Sequence, residues 1–287
     1  MKILRTIADV RAAVRAARTG SAEGGAVGLV PTMGAFHDGH LSLMRRARAE
    51  NDLVVVSLFV NPTQFGANED LSTYPRDERR DAELAAAAGV DILFAPPVSE
   101  IYPDGFATSI HVSGLTEVLD GASRGPHHFD GVATVVTKLL HIVAPDAAYF
   151  GQKDAQQVLV VRRLVRDLDL PVRIVACPIV REPDGLAMSS RNVYLDVPAR
   201  ERATALNRAL DAAEAAVAGG RTDAAAVLAA ARAELAASAI EPEYLELRSA
   251  DDLRPLDRIE EKALLLVAAR VGAARLIDNR TLEVRFA

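Results

Sequence analysis

Residues 26–40 read AVGLVPTMGAFHDGH, and the way this stretch is parsed decides the fold. AVGLV is a short continuous apolar run, the pattern of a strand buried on both faces. Gly34 lets backbone pass close to a ligand, and Gly39 begins a helix that continues to Glu50. The first free N–H groups of such a helix, with its dipole, favour a phosphate. His37 and His40, two of only six histidines in the chain, share that turn and can donate to phosphate oxygens as charge builds there. The plainer alternative is a histidine pair that caps a surface loop. Zinc is disfavoured, because no third ligand stands at a standard spacing.

Outward from this stretch the same grammar repeats. LVVVSLFV (53–60), DILFA (91–95), AAYFG (147–151) and VRIVACP (172–178) read as further buried strands. Helical periodicity fills residues 40–50, 77–88, 132–143 and 155–168, and a leading helix over 6–19 ends at Gly20. Strand and helix in alternation predict an α/β fold, a doubly wound parallel sheet with ligand at the carboxyl ends of its strands. After Cys177 the texture changes. The polar loop REPDGLAMSSRN precedes alanine-rich helices over 198–218 and 223–237, then EYLELRS and KALLLVAARVGAARLIDN, which read as strands. The expectation is a domain over 1–180 and a smaller α+β domain over 181–287.

The totals agree with such a fold. At 287 residues, half of them apolar and a quarter charged, the chain has ample material for two cores. Lys2, Arg5, Asp9 and Arg11 break up any signal-peptide core, and no later apolar run nears the ~20 residues of a membrane helix. A cytoplasmic protein without membrane contact is expected. Cys177 is the only cysteine, which excludes an intrachain disulfide or a cysteine metal cluster. A net charge of -6 speaks against a nucleic-acid partner and for small-molecule substrates.

Four further stretches hold candidate residues. FGQKDAQQ (150–157) lies at a strand end opening a helix, the same topological position as the histidine turn. Lys153 can neutralise phosphate, Asp154 can cap the helix, and Gln157 offers a neutral amide. DGLAMSSRN (184–192) brings Ser189, Ser190 and Arg191, all phosphate donors, in a small-residue loop. VNPTQFGANED (60–70) adds the amides of Asn61 and Gln64, with residues 67–74 as an expected closing wall. SRGPHHF (123–129) adds Arg124, His127 and His128 in what reads as a polar loop.

With VPTMGAFHDGH, VNPTQFGANEDLSTYPR, FGQKDAQQ and DGLAMSSRN in that order, the chain resembles the pantothenate synthetase family, also called pantoate-beta-alanine ligases. The likeness is dense from about Val10 to Leu195 and weaker beyond. It implies a nucleotidylyltransferase-like Rossmann domain, a homodimer, and ATP with Mg²⁺. It also implies a reaction in which (R)-pantoate and ATP form pantoyl adenylate, from which the amine of beta-alanine displaces AMP. By position it assigns the ATP site to Met33, Gly34, Ala35, Phe36, His37, Asp38, Gly39 and His40, to Gly151, Gln152, Lys153 and Asp154, and to Val180, Met188, Ser189, Ser190 and Arg191. His40, His37 and Lys153 take the catalytic places, Gln64 and Gln157 those that touch pantoate, and Gln64 also beta-alanine. Here the family pattern Ser-Arg-Pro-x-His-Phe is one residue longer, so Arg124, His127 and His128 stay outside the assigned set. Two rivals share the fold: a nucleotidylyltransferase acting on a phosphate acceptor, and a non-catalytic nucleotide-binding regulator. The two glutamines favour the ligase, since a phosphate acceptor would call for added arginine or lysine.

Overall fold

The computed structural model describes residues 1–20, 25–66 and 69–284, and the chain divides into two compact units. The first comprises Met1–Gly151 and Gln156–Pro178, the second Gln152–Ala155 and Ile179–Ala287.

Six strands build the first unit: β1 (Lys2–Leu4), β2 (Val27–Thr32), β3 (Leu53–Leu58), β4 (Ile92–Phe94), β5 (Ala147–Gly151) and β6 (Arg173–Cys177). They pair in parallel in the order β1-β4-β3-β2-β5-β6. Helices α1 (Ile7–Gly20), α2 (Asp38–Glu50), α3 (Glu78–Ala87), α4 (Val98–Ile101), α5 (Asp120–Arg124), α6 (Pro126–Val143) and α7 (Ala155–Asp167) complete it. Val54 and Val56, two residues apart, join the cluster that holds Met44 and Ala47 of α2 and Ala85 of α3. Val55 between them is equally buried but lies outside that cluster, so both faces of the strand are covered, and the sequence shows an unbroken apolar run. Each such side chain contributes about 1.5–3 kcal/mol on leaving water.

Strand order fixes where a ligand can bind. From β2 the chain passes through α2 to β3 on one side, and from β5 through α7 to β6 on the other. The neighbours β2 and β5 therefore flank the point where the winding reverses, the position at which open α/β sheets take their ligands. The histidine turn follows β2, and Gly151 ends β5.

The second unit is an antiparallel sheet of β7 (Pro242–Arg248), β8 (Lys262–Val271) and β9 (Ala274–Glu283), in the order β7-β8-β9. With it go α8 (Val197–Ala203), α9 (Ala205–Ala218) and α10 (Ala224–Ala237). Leu206 and Leu210 of α9 and Val227 and Leu235 of α10 share one core with Leu245, Leu265 and Val267.

Local differences from the sequence reading have physical causes. β1 is three largely exposed residues at a sheet edge, too short to leave a pattern. The 198–218 helix is two, divided at Thr204, whose dihedrals (φ -62, ψ -19) stay near-helical, so no breaker residue marks the joint. SRGPHHF is the end of α5 and the start of α6, with Pro126 at the first helical turn, where its missing N–H costs nothing. No described helix is long and apolar enough to cross a membrane.

Candidate active site

At the end of β2 the backbone enters a conformation that most residues avoid. Gly34 has φ +92 and Ala35 φ +53, a left-handed turn that costs a non-glycine residue about 1–2 kcal/mol. Asp81 on α3 holds it: its two carboxylate oxygens accept from the N–H of Ala35 and of Phe36, each at 2.8 Å. Asp81 is 1% exposed, and burial raises its carboxyl above the ordinary range, while the two N–H donors pull the other way. A Cβ at Gly34 would stand 2.7 Å from Leu58 Cδ1 and 3.0 Å from Asp81 Oδ2, so only glycine fits.

The histidine pair does cap α2. His37 is the N-cap residue, and its Nδ1 accepts from the Gly39 N–H at 3.1 Å. His40 Nδ1 accepts in return from the His37 N–H at 3.4 Å, a capping box built from two imidazoles. The rings lie 4.2 Å apart between centroids. A nitrogen that accepts carries no proton, so each neutral ring bears its hydrogen on Nε2 and is a donor there. Each ring thus caps through Nδ1 and keeps a donor at Nε2.

Gln64 ends a short 3-10 turn, Pro62–Gln64, and is buried. Its Oε1 accepts from Asn61 Nδ2 at 3.1 Å, and its Nε2 donates to Met33 Sδ at 3.1 Å, which sets the amide beside the residue that opens the histidine turn. Asn61 Nδ2 also donates to Gly131 O at 3.1 Å, and Tyr102 donates to Asn61 Oδ1 at 2.8 Å. α6 presses on this turn at Gly131, where a Cβ would come within 2.6 Å of the Thr63 carbonyl.

The one-residue-longer loop also converges here. Arg124 makes a two-pronged pair with Glu69, at 2.8 and 2.7 Å, and its Nη1 reaches His128 Nε2 at 2.8 Å. His128 Nδ1 lies 2.9 Å from the Gln64 carbonyl. Burial first, and then the Arg124 charge, hold the His128 ring down at about 4, so it is neutral, donating from Nδ1 and accepting at Nε2. Burial would raise the Glu69 carboxyl, but Arg124 and the Gly66 N–H bring it to about 2. Arg124 is thus engaged with a carboxylate, and the side chains bonded around Gln64 include the amide of Asn61. Ala67 and Asn68, the start of the expected closing wall, lie outside the described residues. The rest is pinned by Arg124 on Glu69 and by Arg76, which donates to the carbonyls of Leu71 and Tyr74.

Gln157, on the first turn of α7, is half-buried. Its neighbour Gln156 is the structural one, donating to Leu115 O and Val118 O and accepting from the Asp120 N–H.

Of the remaining assigned residues Gly151 ends β5 in the first unit, and those from Gln152 to Asp154 and from Val180 to Arg191 belong to the second. Gln152, Lys153 and Asp154 form a 3-10 turn, with Lys153 Nζ 3.9 Å from Asp154. This turn runs directly into α7, so Asp154 sits inside a continuous turn rather than at a separate N-cap. The Met188 N–H donates to Val180 O at 3.0 Å, closing a narrow loop over 180–188. Ser189 caps the following 3-10 turn (Ser190–Tyr194), accepting from the Arg191 N–H at 3.2 Å. Asn192 anchors its far side to Glu182 and to Ala187 O.

Asp81, Arg181, Asp278 and Asn279 escape the sequence reading. Asp81 sits one helical turn before the buried Ala85, an acid on the core-facing stripe of α3, and that mismatch is the signal that could have found it. The DN of LIDN is a like case, two polar residues in an apolar strand.

Comparison with known proteins places the chain in a family. The family model described as pantoate-beta-alanine ligase matches residues 2–281. A pantothenate synthetase of Roseiflexus castenholzii is 56% identical over 284 residues, covering 99% of this chain and all of the relative. The crystal structure of pantothenate synthetase from Thermus thermophilus superposes with a TM-score of 0.93 at 50% identity, covering both chains fully. That of a Francisella tularensis pantoate-beta-alanine ligase, complexed with beta-gamma ATP and beta-alanine, gives 0.79 at 35% identity, covering 98% of this chain and 97% of that one. Matched along almost its entire length, the chain belongs to the pantoate-beta-alanine ligase family.

Proposed function

We propose that this chain condenses (R)-pantoate with beta-alanine in two steps on one ATP, with each assigned residue in the place given above. A carboxylate is a poor acyl donor, because an amine would have to expel oxide. In the first step a pantoate carboxylate oxygen attacks the α-phosphorus, the bond to the β-phosphate bridge breaks, and pyrophosphate leaves with the negative charge. His37 and His40 donate from Nε2 to phosphoryl oxygens, and Lys153, Ser189, Ser190 and Arg191 add charge and donors of the same kind. In the second step the neutral amine of beta-alanine attacks the acyl carbon, the carbon–oxygen bond to phosphate breaks, AMP leaves, and the nitrogen loses a proton. Gln64 and Gln157 hold pantoate, and Gln64 also meets beta-alanine. Such alignment supplies roughly 7–11 kcal/mol of a barrier in well-oriented cases.

ATP enters as its magnesium complex. Among the described residues no three His, Cys, Asp or Glu side chains converge to hold a metal. When bound, Mg²⁺ neutralises phosphate charge. The reading includes a homodimer, on the family likeness alone, and a cytoplasmic setting, on the charged N-terminal stretch and the lack of a long apolar run in the sequence.

The observation that carries the reading is the hydrogen bond from Gln64 Nε2 to Met33 Sδ, which sets an uncharged amide beside the turn bearing the two histidines. The test follows AMP, pyrophosphate and pantothenate formed from ATP, Mg²⁺ and (R)-pantoate, with and without beta-alanine. Equal yields of AMP and pantothenate that require both substrates are expected. ATP binding without pantothenate under any of these conditions would overturn the reading.

A further inference from the structure

β9 carries two buried polar side chains in succession, Asp278 at 2% exposure and Asn279 at 3%. The hairpin does not need them: β8 and β9 pair through their backbones, with Val267 opposite Asp278 and Leu266 opposite Asn279 in an unbroken register. A carboxylate and an amide in such a strand lose hydration that only partners can replace. Those partners lie in the two loops that carry the phosphate donors of this unit.

Asn279 Nδ2 donates to the carbonyls of Gln152 and Lys153, both at 2.9 Å. Its Oδ1 is buried without a hydrogen-bond partner. Turning the amide over would set that oxygen against two carbonyl oxygens, so the Lys153 turn dictates its orientation. One N–H2 group thereby fixes two successive peptide planes, and with them the point from which the Lys153 side chain departs. Next to it, Asp278 takes both prongs of Arg181, at 2.6 and 3.0 Å, and Arg181 Nη1 also donates to Gly185 O at 3.1 Å. Arg181 pairs across the loop with Ala187, just before Met188 and Ser189. The same two strand residues thus serve both loops.

We propose that Asn279 is a positioning residue for adenylate formation, acting through the backbone of Gln152 and Lys153 to aim the Lys153 ammonium. The inference rests on the reading of Lys153 as a phosphate donor. Asn279→Asp keeps the shape of the side chain but replaces both donors with an acceptor; Asn279→Ser is the second variant should the first not fold. Each is made alone and with Lys153→Ala, and pantoate-dependent exchange of pyrophosphate into ATP is followed beside the thermal midpoint.

The expected result is a loss of roughly tenfold or more in the kcat of exchange for the Asn279 variants, with the KM for pantoate unchanged. In the Lys153→Ala background the same substitutions should cause no further loss, because coupled groups do not add. Full additivity, or wild-type exchange in a folded Asn279 variant, overturns the proposal. Wild-type exchange in Lys153→Ala alone would instead overturn the site reading and carry the proposal with it, and that single variant tells the two failures apart.

Discussion

His40 shows how one side chain answers two demands. Its Nδ1 accepts from the His37 N–H while its Nε2 keeps the hydrogen, so the fold selects the tautomer that the proposed reaction calls for. Substitution can separate the demands. His40→Asn keeps an oxygen in reach of the His37 N–H and removes the Nε2 donor. Adenylate formation should fall by about 10² to 10³, the usual loss for one charge-stabilising donor, with the thermal midpoint nearly unmoved. Activity within a few-fold of wild type would reduce His40 to a cap. The sequence shows both histidines and their turn, since strand, glycine and helix announce themselves by type and spacing. It does not show that the cap and the donor are one ring, because tautomers follow from hydrogen-bond partners alone.

Between elements, the histidine turn depends on α3 more than on its own residues. Asp81 satisfies the N–H groups of Ala35 and Phe36, and Ala35 holds a left-handed backbone that an L residue adopts only when compelled. Asp81→Asn turns one acceptor into a donor and leaves one of those N–H groups unsatisfied, at a cost of about 1–3 kcal/mol. Urea unfolding should report that loss, and the KM for ATP should rise roughly tenfold as the turn relaxes; an unchanged KM would mean that the turn stands without α3. This contact spans 46 positions. No local period encodes it, so RRDAEL reads as an ordinary polar helix start while the strand before it is plain. Arg124 and His128 were illegible for a related reason: an inserted residue blurs a motif, whereas Glu69 and the Gln64 carbonyl, which decide their roles, lie far away in the chain.

For the molecule as a whole, buried His128 makes stability depend on pH. Its folded value is about 4 against 6.5 when free, so between these values the unfolded chain binds a proton that the folded chain refuses. The stability this ring contributes is complete above about pH 6.5 and is lost as pH falls toward 4, on the order of 3 kcal/mol in all. Glu69 and Glu50, both held at about 2, contribute stability that is lost only below about 4.5, so neither adds to a decline between pH 6.5 and 5. Urea midpoints across that interval should decline in the native protein and stay flatter in His128→Asn; parallel slopes would assign the decline elsewhere.

The layered architecture was legible from apolar runs and helical periods. The path of the chain was not, for Gln152–Ala155 leave the first unit for four residues and return to it. The Asn279 side-chain amide, 127 and 126 positions away, holds the carbonyls of Gln152 and Lys153 in that excursion. Its consequence concerns inheritance: a cut after Pro178 yields no transplantable module, since the N-terminal fragment would keep the Lys153 turn and lose the amide that shapes it. Recombination between relatives should therefore preserve FGQKD and LIDN from the same parent.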